Sequence, residues 1–141
     1  MFSHPVYRFI PYVIVLLAYF AGLFIDIIEI DAAQYAVMSR DMLADGDLLH
    51  LMDRGRDYLD KPPLIFWCTA LSYKLFGVST FSYKLPSVLF SLLAIWSTVG
   101  LARRFYTREV AFLAGVILAS CQGFFLMYND VKTDMFLIGA I

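Results

Sequence analysis

Charge and cysteine are scarce in this chain, and each scarcity removes a class of function. Only 16% of its 141 residues are charged and the formal net charge is −1, so nothing in the balance draws it toward nucleic acid, and the basic residues form no long stripe. The two cysteines, Cys68 and Cys121, sit inside apolar segments at a spacing that matches no metal motif. A thiol in that setting behaves as a small hydrophobe, which leaves neither a disulfide framework nor a redox site. A signal-peptide cleavage site is also missing: the first apolar run is followed by Asp26-Ile27-Ile28-Glu29, with no small-x-small pattern, so that run reads as a retained helix. What the chain has in abundance is apolar side chains. They make up 61% of the residues and the mean hydropathy is +0.73, well above the roughly 45–50% apolar content of soluble domains. This is the composition of a membrane protein.

Three uncharged runs, residues 9–25, 85–102 and 110–129, each reach roughly 26–30 Å as a helix, close to the thickness of a bilayer's hydrocarbon core, and a fourth begins at residue 135. Residues 62–73 form a shorter uncharged stretch, too short for a span. The connector 103–109 carries Arg103, Arg104 and Arg108, which the positive-inside rule assigns to the cytoplasm; Arg8 and His4 ahead of the first span point the same way. An even number of crossings must then separate the N-terminus from residue 103. Residues 9–25 and 85–102 supply two, so 62–76 is expected to lie at the membrane surface, with Pro62 and Pro63 in its first turn and Gly77 at its end.

This topology makes residues 26–84 an outer loop and brings residues 129–134 to the same face. Residues 26–61 hold nine acids against four bases, a net of −5, the pattern of a solvated face. Within it, 32–43 reads as a second interfacial helix, its stripe formed by Ala32, Tyr35, Met38, Ser39 and Met42, with Asp31 in front and Gly46 behind. Asp31 with Gln34 three residues on has the form of a capping box; equally, its carboxylate could take a proton or hold a metal in a cavity beside the membrane. Lys61 fits a snorkelling residue, although the following proline holds it in extended backbone and presents it away from the next helix. Asp130 and Asp134 fit hydrated span ends, but a new apolar run starts directly after Asp134.

Asp31 to Tyr35, the run Tyr58-Leu59-Asp60-Lys61-Pro62-Pro63-Leu64-Ile65-Phe66-Trp67, Leu75-Phe76-Gly77 and Lys132-Thr133-Asp134-Met135 together resemble the N-terminal part of polytopic glycosyltransferases of the GT-C fold. The resemblance is closest to the branch of bacterial aminoarabinose transferases and related protein mannosyltransferases. It implies an all-α, polytopic membrane protein, the N-terminal part of a GT-C-like helical bundle with two juxtamembrane helices in its first outer loop, which 32–43 and 62–76 match. It implies roles as well. Asp31 takes the place of the catalytic or acceptor-contacting aspartate, and Asp134 that of a second outer acid supporting it, directly or through a divalent metal ion held by Asp31 and Asp134. Asp60 and Lys61 match the acid-lysine pair whose lysine meets the phosphate of a polyprenyl-phosphate sugar donor, and Gln34 and Tyr35 stand at positions of acceptor contact. The pattern departs from many family members, which carry Asp-Glu at the leading motif and an arginine three residues on; here Asp31 is followed by Ala32 and Gln34.

The activity so implied is that of a hexosyl or pentosyl transferase in a bacterial inner membrane, multi-pass with the N-terminus cytoplasmic. It would move a sugar from the lipid carrier to a lipid, protein or glycan acceptor. The family has many more spans than the four counted here, so this chain is expected to be a fragment that does not catalyse alone. Two other classes compete. One is a non-catalytic membrane remnant or scaffold, in which the acids are helix ends; the other is a transporter fragment, which should carry acids in mid-span, where the three long runs have none. The topology has a direct test. A cysteine placed at His50 should react with an impermeant thiol reagent added outside and one at Phe105 should not; outside labelling at position 105 refutes the arrangement.

Overall fold

The computed structural model describes residues 9–140, so Arg8 and His4 lie outside the described residues. Seven helices are present among these: α1 (Ile10–Gly22), α2 (Ile30–Asp45), α3 (Leu64–Phe76), α4 (Thr80–Phe105), α5 (Arg108–Ser120), α6 (Gln122–Asn129) and α7 (Thr133–Ala140). α4 is the axis of the bundle. It is long and apolar enough to cross a membrane and packs against α3, α5, α6 and α7. Its buried face alternates small residues, Ser87, Ser91 and Ala94, with Val88 and Ile95, which lets neighbouring backbones approach as small residues do between membrane helices.

The two glycines on the helices facing α4 show how close that approach is. A Cβ on Gly139 of α7 would meet the Phe90 carbonyl oxygen at 2.6 Å and the Phe90 side chain at 2.9 Å. A Cβ on Gly115 of α5 would run into Val99 of α4 and the hydroxyl of Tyr12 on α1. Neither contact leaves room for a methyl group.

Hydropathy placed the helices well but missed their ends. α4 starts at Thr80, five residues before the expected boundary, because Ser79 and Ser82 form a reciprocal capping box in which Ser82 N donates to Ser79 Oγ at 3.2 Å and Ser79 N to Ser82 Oγ at 3.0 Å. This start brings Lys84 inside the helix. α1 ends at Gly22, and residues 23–25 tighten into three-residue turns, with Leu23, Phe24 and Ile25 donating to Phe20, Ala21 and Gly22. α2 and α3 are the two expected surface helices, closed as predicted by Gly46 (φ +72°) and Gly77 (φ +80°). Pro62 and Pro63 precede α3 rather than forming its first turn, and the Pro63 carbonyl accepts from Trp67 N at 3.0 Å.

The expected span 110–129 is not one helix. α5 and α6 meet at Cys121 with a bend of 53°, Cys121 being extended (φ −65°, ψ 123°). Ser120 Oγ donates back to the Ile117 carbonyl at 3.3 Å, a local bond of the kind that bends helices. Tyr19 Oη of α1 donates to the Ala119 carbonyl at 3.3 Å, satisfying a group that the break leaves without a helical partner. The all-α expectation also omits a small hairpin, Met52–Asp53 paired with Arg56–Asp57, closed by Arg54 and Gly55 at positive φ (50° and 78°). Two positive-φ residues make the turn type that matches the strand twist. Arg103, Arg104 and Arg108 are exposed at the opposite end of the bundle from this hairpin.

Gly139→Ala should force α7 away from α4 and destabilise the fold by roughly 1–3 kcal/mol, the usual range for overpacking. A thermal melt of the detergent-solubilised protein checks it, and an unchanged midpoint would show that α7 does not pack on α4 this closely.

Candidate functional site at the loop end of the bundle

α1 ends, α4 starts, α6 ends and α7 starts at the same end of the bundle, and the acidic loop covers it. The chain leaves α1 as Asp26-Ile27-Ile28-Glu29 and enters α2 through Glu29, which is extended (ψ 139°) and caps α2 without a side-chain hydrogen bond. Its carboxylate goes elsewhere, to an ion pair between Glu29 Oε1 and Lys132 Nζ. This contact ties the first loop to the turn between α6 and α7. The turn is itself specified by backbone geometry: Lys132 N donates to the Met127 carbonyl at 3.0 Å and Val131 N to that of Tyr128 at 3.2 Å, the two bonds of a Schellman motif. Val131 takes the left-handed position at φ 51°, where glycine is usual and a β-branched residue is strained by about 1–3 kcal/mol. Its complete burial holds it there, and Lys132 is thereby aimed at Glu29.

Asp31 is not the helix cap that the capping-box pattern suggests. It lies within the first turn of α2, where the helix dipole favours an anion, and it is exposed with no hydrogen bond or ion pair among the described residues. Gln34 does not close a box either: its Nε2 donates to Asp53 Oδ2 of the hairpin at 2.8 Å. Gln34 and Asp53 line a groove of about 490 Å³ between α2 and the hairpin, with Met38, Asp41 and Arg54. Tyr35 is buried at 4% exposure, its ring edge-on to Phe66 at 5.6 Å and to Tyr58 at 6.5 Å. Held this way, Tyr35 packs into the floor of the loop, while Gln34, half-buried, bonds Asp53 and still lines the groove.

The charged residues gather over this aromatic floor. Asp31, Glu29 and Asp60 all lie close enough to act on the Tyr35 phenol, whose pKa is raised chiefly by burial. Asp60 and Lys61 act in the same way on Tyr58, which burial pushes up to about 12. Asp31 and Asp130 join Glu29 around Lys132, and the bond to Glu29 holds that ammonium above the ordinary lysine value. Lys61 is exposed and makes no hydrogen bond or ion pair among the described residues. Of the predicted site residues, Asp31 and Asp60 thus share the surroundings of Tyr35, and Asp60 and Lys61 those of Tyr58. Asp134 reaches the same end of the bundle, two residues beyond Lys132 in the first turn of α7, but is exposed and joins none of these contacts. No group of three or more His, Cys, Asp or Glu side chains converges on a metal position among the described residues.

Sequence reasoning missed the most buried charge. Lys84 is 0% exposed, and its Nζ donates to the Ile25 carbonyl and to Asn129 Oδ1, both at 2.7 Å, and to the Gly22 carbonyl at 3.5 Å. A lysine at the edge of an apolar run looks like the end of a span. The signal that it is inside one is Ser79-x-x-Ser82, which starts the helix upstream of it.

Comparison with known proteins bears on what this arrangement is for. A family model described as dolichyl-phosphate-mannose-protein mannosyltransferase matches residues 60–141. The undecaprenyl phosphate-alpha-4-amino-4-deoxy-L-arabinose arabinosyl transferase of Edwardsiella ictaluri is 36% identical over 99 residues, 70% of this chain and 18% of the relative. That of Aeromonas salmonicida is 34% identical over 94 residues, 64% of this chain and 17% of the relative. Among solved structures, ArnT from Cupriavidus metallidurans bound to undecaprenyl phosphate superposes with a TM-score of 0.88 at 27% identity, covering 97% of this chain and 26% of that one. In its apo state the same protein gives 0.86. The chain thus spans less than a fifth of the length of these curated relatives.

Glu29→Gln and Lys132→Met should each loosen the joint between the two loops. Their double-mutant cycle should return a coupling of about 0.5–1 kcal/mol, the scale of a partly exposed pair; a coupling of zero would show that the loops are not tied here.

Proposed function

The chain belongs to the dolichyl-phosphate-mannose-protein mannosyltransferase family and is a polytopic membrane protein of the GT-C fold; on that premise we propose that it forms part of a glycosyltransferase acting at the outer face of a bacterial inner membrane, with its N-terminus in the cytoplasm. The donor is a sugar linked to a polyprenyl phosphate, and the acceptor a lipid, protein or glycan nucleophile. What supports this reading is that Asp31 and Asp60 lie around Tyr35 and Asp60 and Lys61 around Tyr58, while neither Asp31 nor Lys61 makes a hydrogen bond or ion pair among the described residues. Groups that the fold does not consume are available to a substrate. The separation of charge along the bundle, acids at one end and Arg103, Arg104 and Arg108 at the other, supports the orientation.

In this reading an acceptor hydroxyl attacks the anomeric carbon of the donor. The bond from that carbon to the phosphate oxygen breaks, and polyprenyl phosphate leaves with the bonding pair. Lys61 faces the phosphate as it gains charge, a form of stabilisation that is strongest in a partly dehydrated site. Asp31 takes the proton from the acceptor or orients it, and Asp134 supports the acceptor from the neighbouring turn. A divalent ion, where one takes part, would be held by Asp31 and Asp134 and would supply charge stabilisation beside the acceptor.

Lys61→Ala in the intact protein should lower transfer from an undecaprenyl-phosphate-linked sugar by at least about 100-fold while membrane insertion, followed by the labelling pattern at positions 50 and 105, stays the same. Unchanged transfer would overturn the assignment.

A further inference from the structure

Lys84 lies one layer below the cluster, and the reaction as drawn has no use for it. An ammonium has three donors and no acceptor. Here the three find three neutral oxygens drawn from two separate parts of the chain: the Gly22 and Ile25 carbonyls at the end of α1 and Asn129 Oδ1 at the end of α6. The terminal carbonyls of a helix are unpaired within it and carry its negative dipole end, so a cation placed there both completes their bonding and meets a favourable field. No carboxylate is within hydrogen-bond distance of Nζ among the described residues; Asp26 and Asp130 act on it from further off. Tyr83 beside it is also fully buried, its hydroxyl has no hydrogen-bond partner among the described residues, and Glu29 and Asp130 act on it.

The oxygens that Lys84 holds are placed where they matter for geometry. Ile25 is the last residue before the loop that carries Glu29 and Asp31, and Asn129 is the last residue of α6, just before the turn that carries Lys132 and Asp134. We propose that Lys84 is a positioning residue: its ammonium clamps the roots of the two loops to the start of α4 and so sets the separation of Asp31 from Asp134. The clamp has a second member in the Glu29–Lys132 pair above it, and the two together fix each loop at two heights. Describing what the clamp positions as a transfer site rests on the function proposed above; the clamp itself does not.

The test separates the two. In the intact protein, with Cys68 and Cys121 replaced by alanine, spin labels at Ile28 and Leu137 report the loop end and labels at Leu101 and Leu113 the far end, all four positions being exposed. Lys84→Met keeps the length of the side chain and deletes its donors. It should broaden the distance distribution of the Ile28–Leu137 pair and leave the Leu101–Leu113 pair as it was. Sugar transfer should lose about 100-fold in kcat, the scale of a misplacement of about 1 Å, with little change in KM for the lipid donor. An unchanged Ile28–Leu137 distribution overturns the proposal. Equal broadening of both pairs overturns it in favour of general loosening, and a raised KM at constant kcat overturns it in favour of direct contact with the donor. Should Lys84→Met fail to accumulate, Asn129→Leu, which removes one of the three acceptors, decides by the same distances. Absence of transfer in the parent protein counts against the proposed function alone, because the distances still decide the clamp.

Discussion

A chain that crosses lipid must satisfy its backbone polar groups from within, since hydrocarbon offers no partner for an open N–H or C=O. Two irregularities in this bundle are met by a side chain from a different helix. Where α5 breaks into α6, Tyr19 Oη of α1 donates to the Ala119 carbonyl. Where α1 gives way to tight turns, Lys84 collects the Gly22 and Ile25 carbonyls. Because each donor comes from a distant part of the sequence, repairing a helix end and joining two helices are one event. The bundle is held at its faults as much as along its apolar faces.

Close helix packing and these repairs depend on each other. Gly139 against Phe90 and Gly115 against Val99 bring α7 and α5 onto α4, and only at that spacing does Lys84 of α4 reach Asn129 of α6. Tyr128 illustrates the same economy of space: its ring stacks on Tyr19 at 4.4 Å, and it occupies the room that a side chain at Gly22 would need. Displacing any of these helices would separate polar atoms that have no water to fall back on, at a cost of about 1–3 kcal/mol for each group left unpaired.

The helices themselves were legible in the sequence, and so were two of their ends, because a glycine needed at positive φ leaves a mark, as at Gly46 and Gly77. The break at Cys121 was not. Hydropathy runs unbroken through 110–129, no proline interrupts it, and the bend arises from Ser120 bonding backward and Tyr19 compensating from a helix about a hundred residues away in sequence. For Asp31 the sequence left a helix cap and a free carboxylate equally open, because the capping box is a local pattern; the N-cap is Glu29, and its carboxylate pairs with Lys132. Asp60 and Lys61 came out of the resemblance as a pair, and both lie around Tyr58; Gln34 and Tyr35 came out the same way, and the fold binds the first to Asp53 and buries the second. A motif shows which residues are near a site, whereas burial and hydrogen bonding decide which of them remain available to it.

The three lysines at the loop end show how that availability is graded. Lys84 is fully buried with all its donors committed to neutral oxygens; Lys132 is partly exposed and committed to one carboxylate; Lys61 is exposed and committed to nothing among the described residues. Their order of commitment is also their order of exposure. Recruiting Lys84 would break a helix end and recruiting Lys132 would separate the two loops. The fold spends these two lysines on holding the loops in register and leaves Lys61, set between Asp60 and two prolines, outside those bonds, as it leaves the exposed Arg54, Arg56 and Lys74.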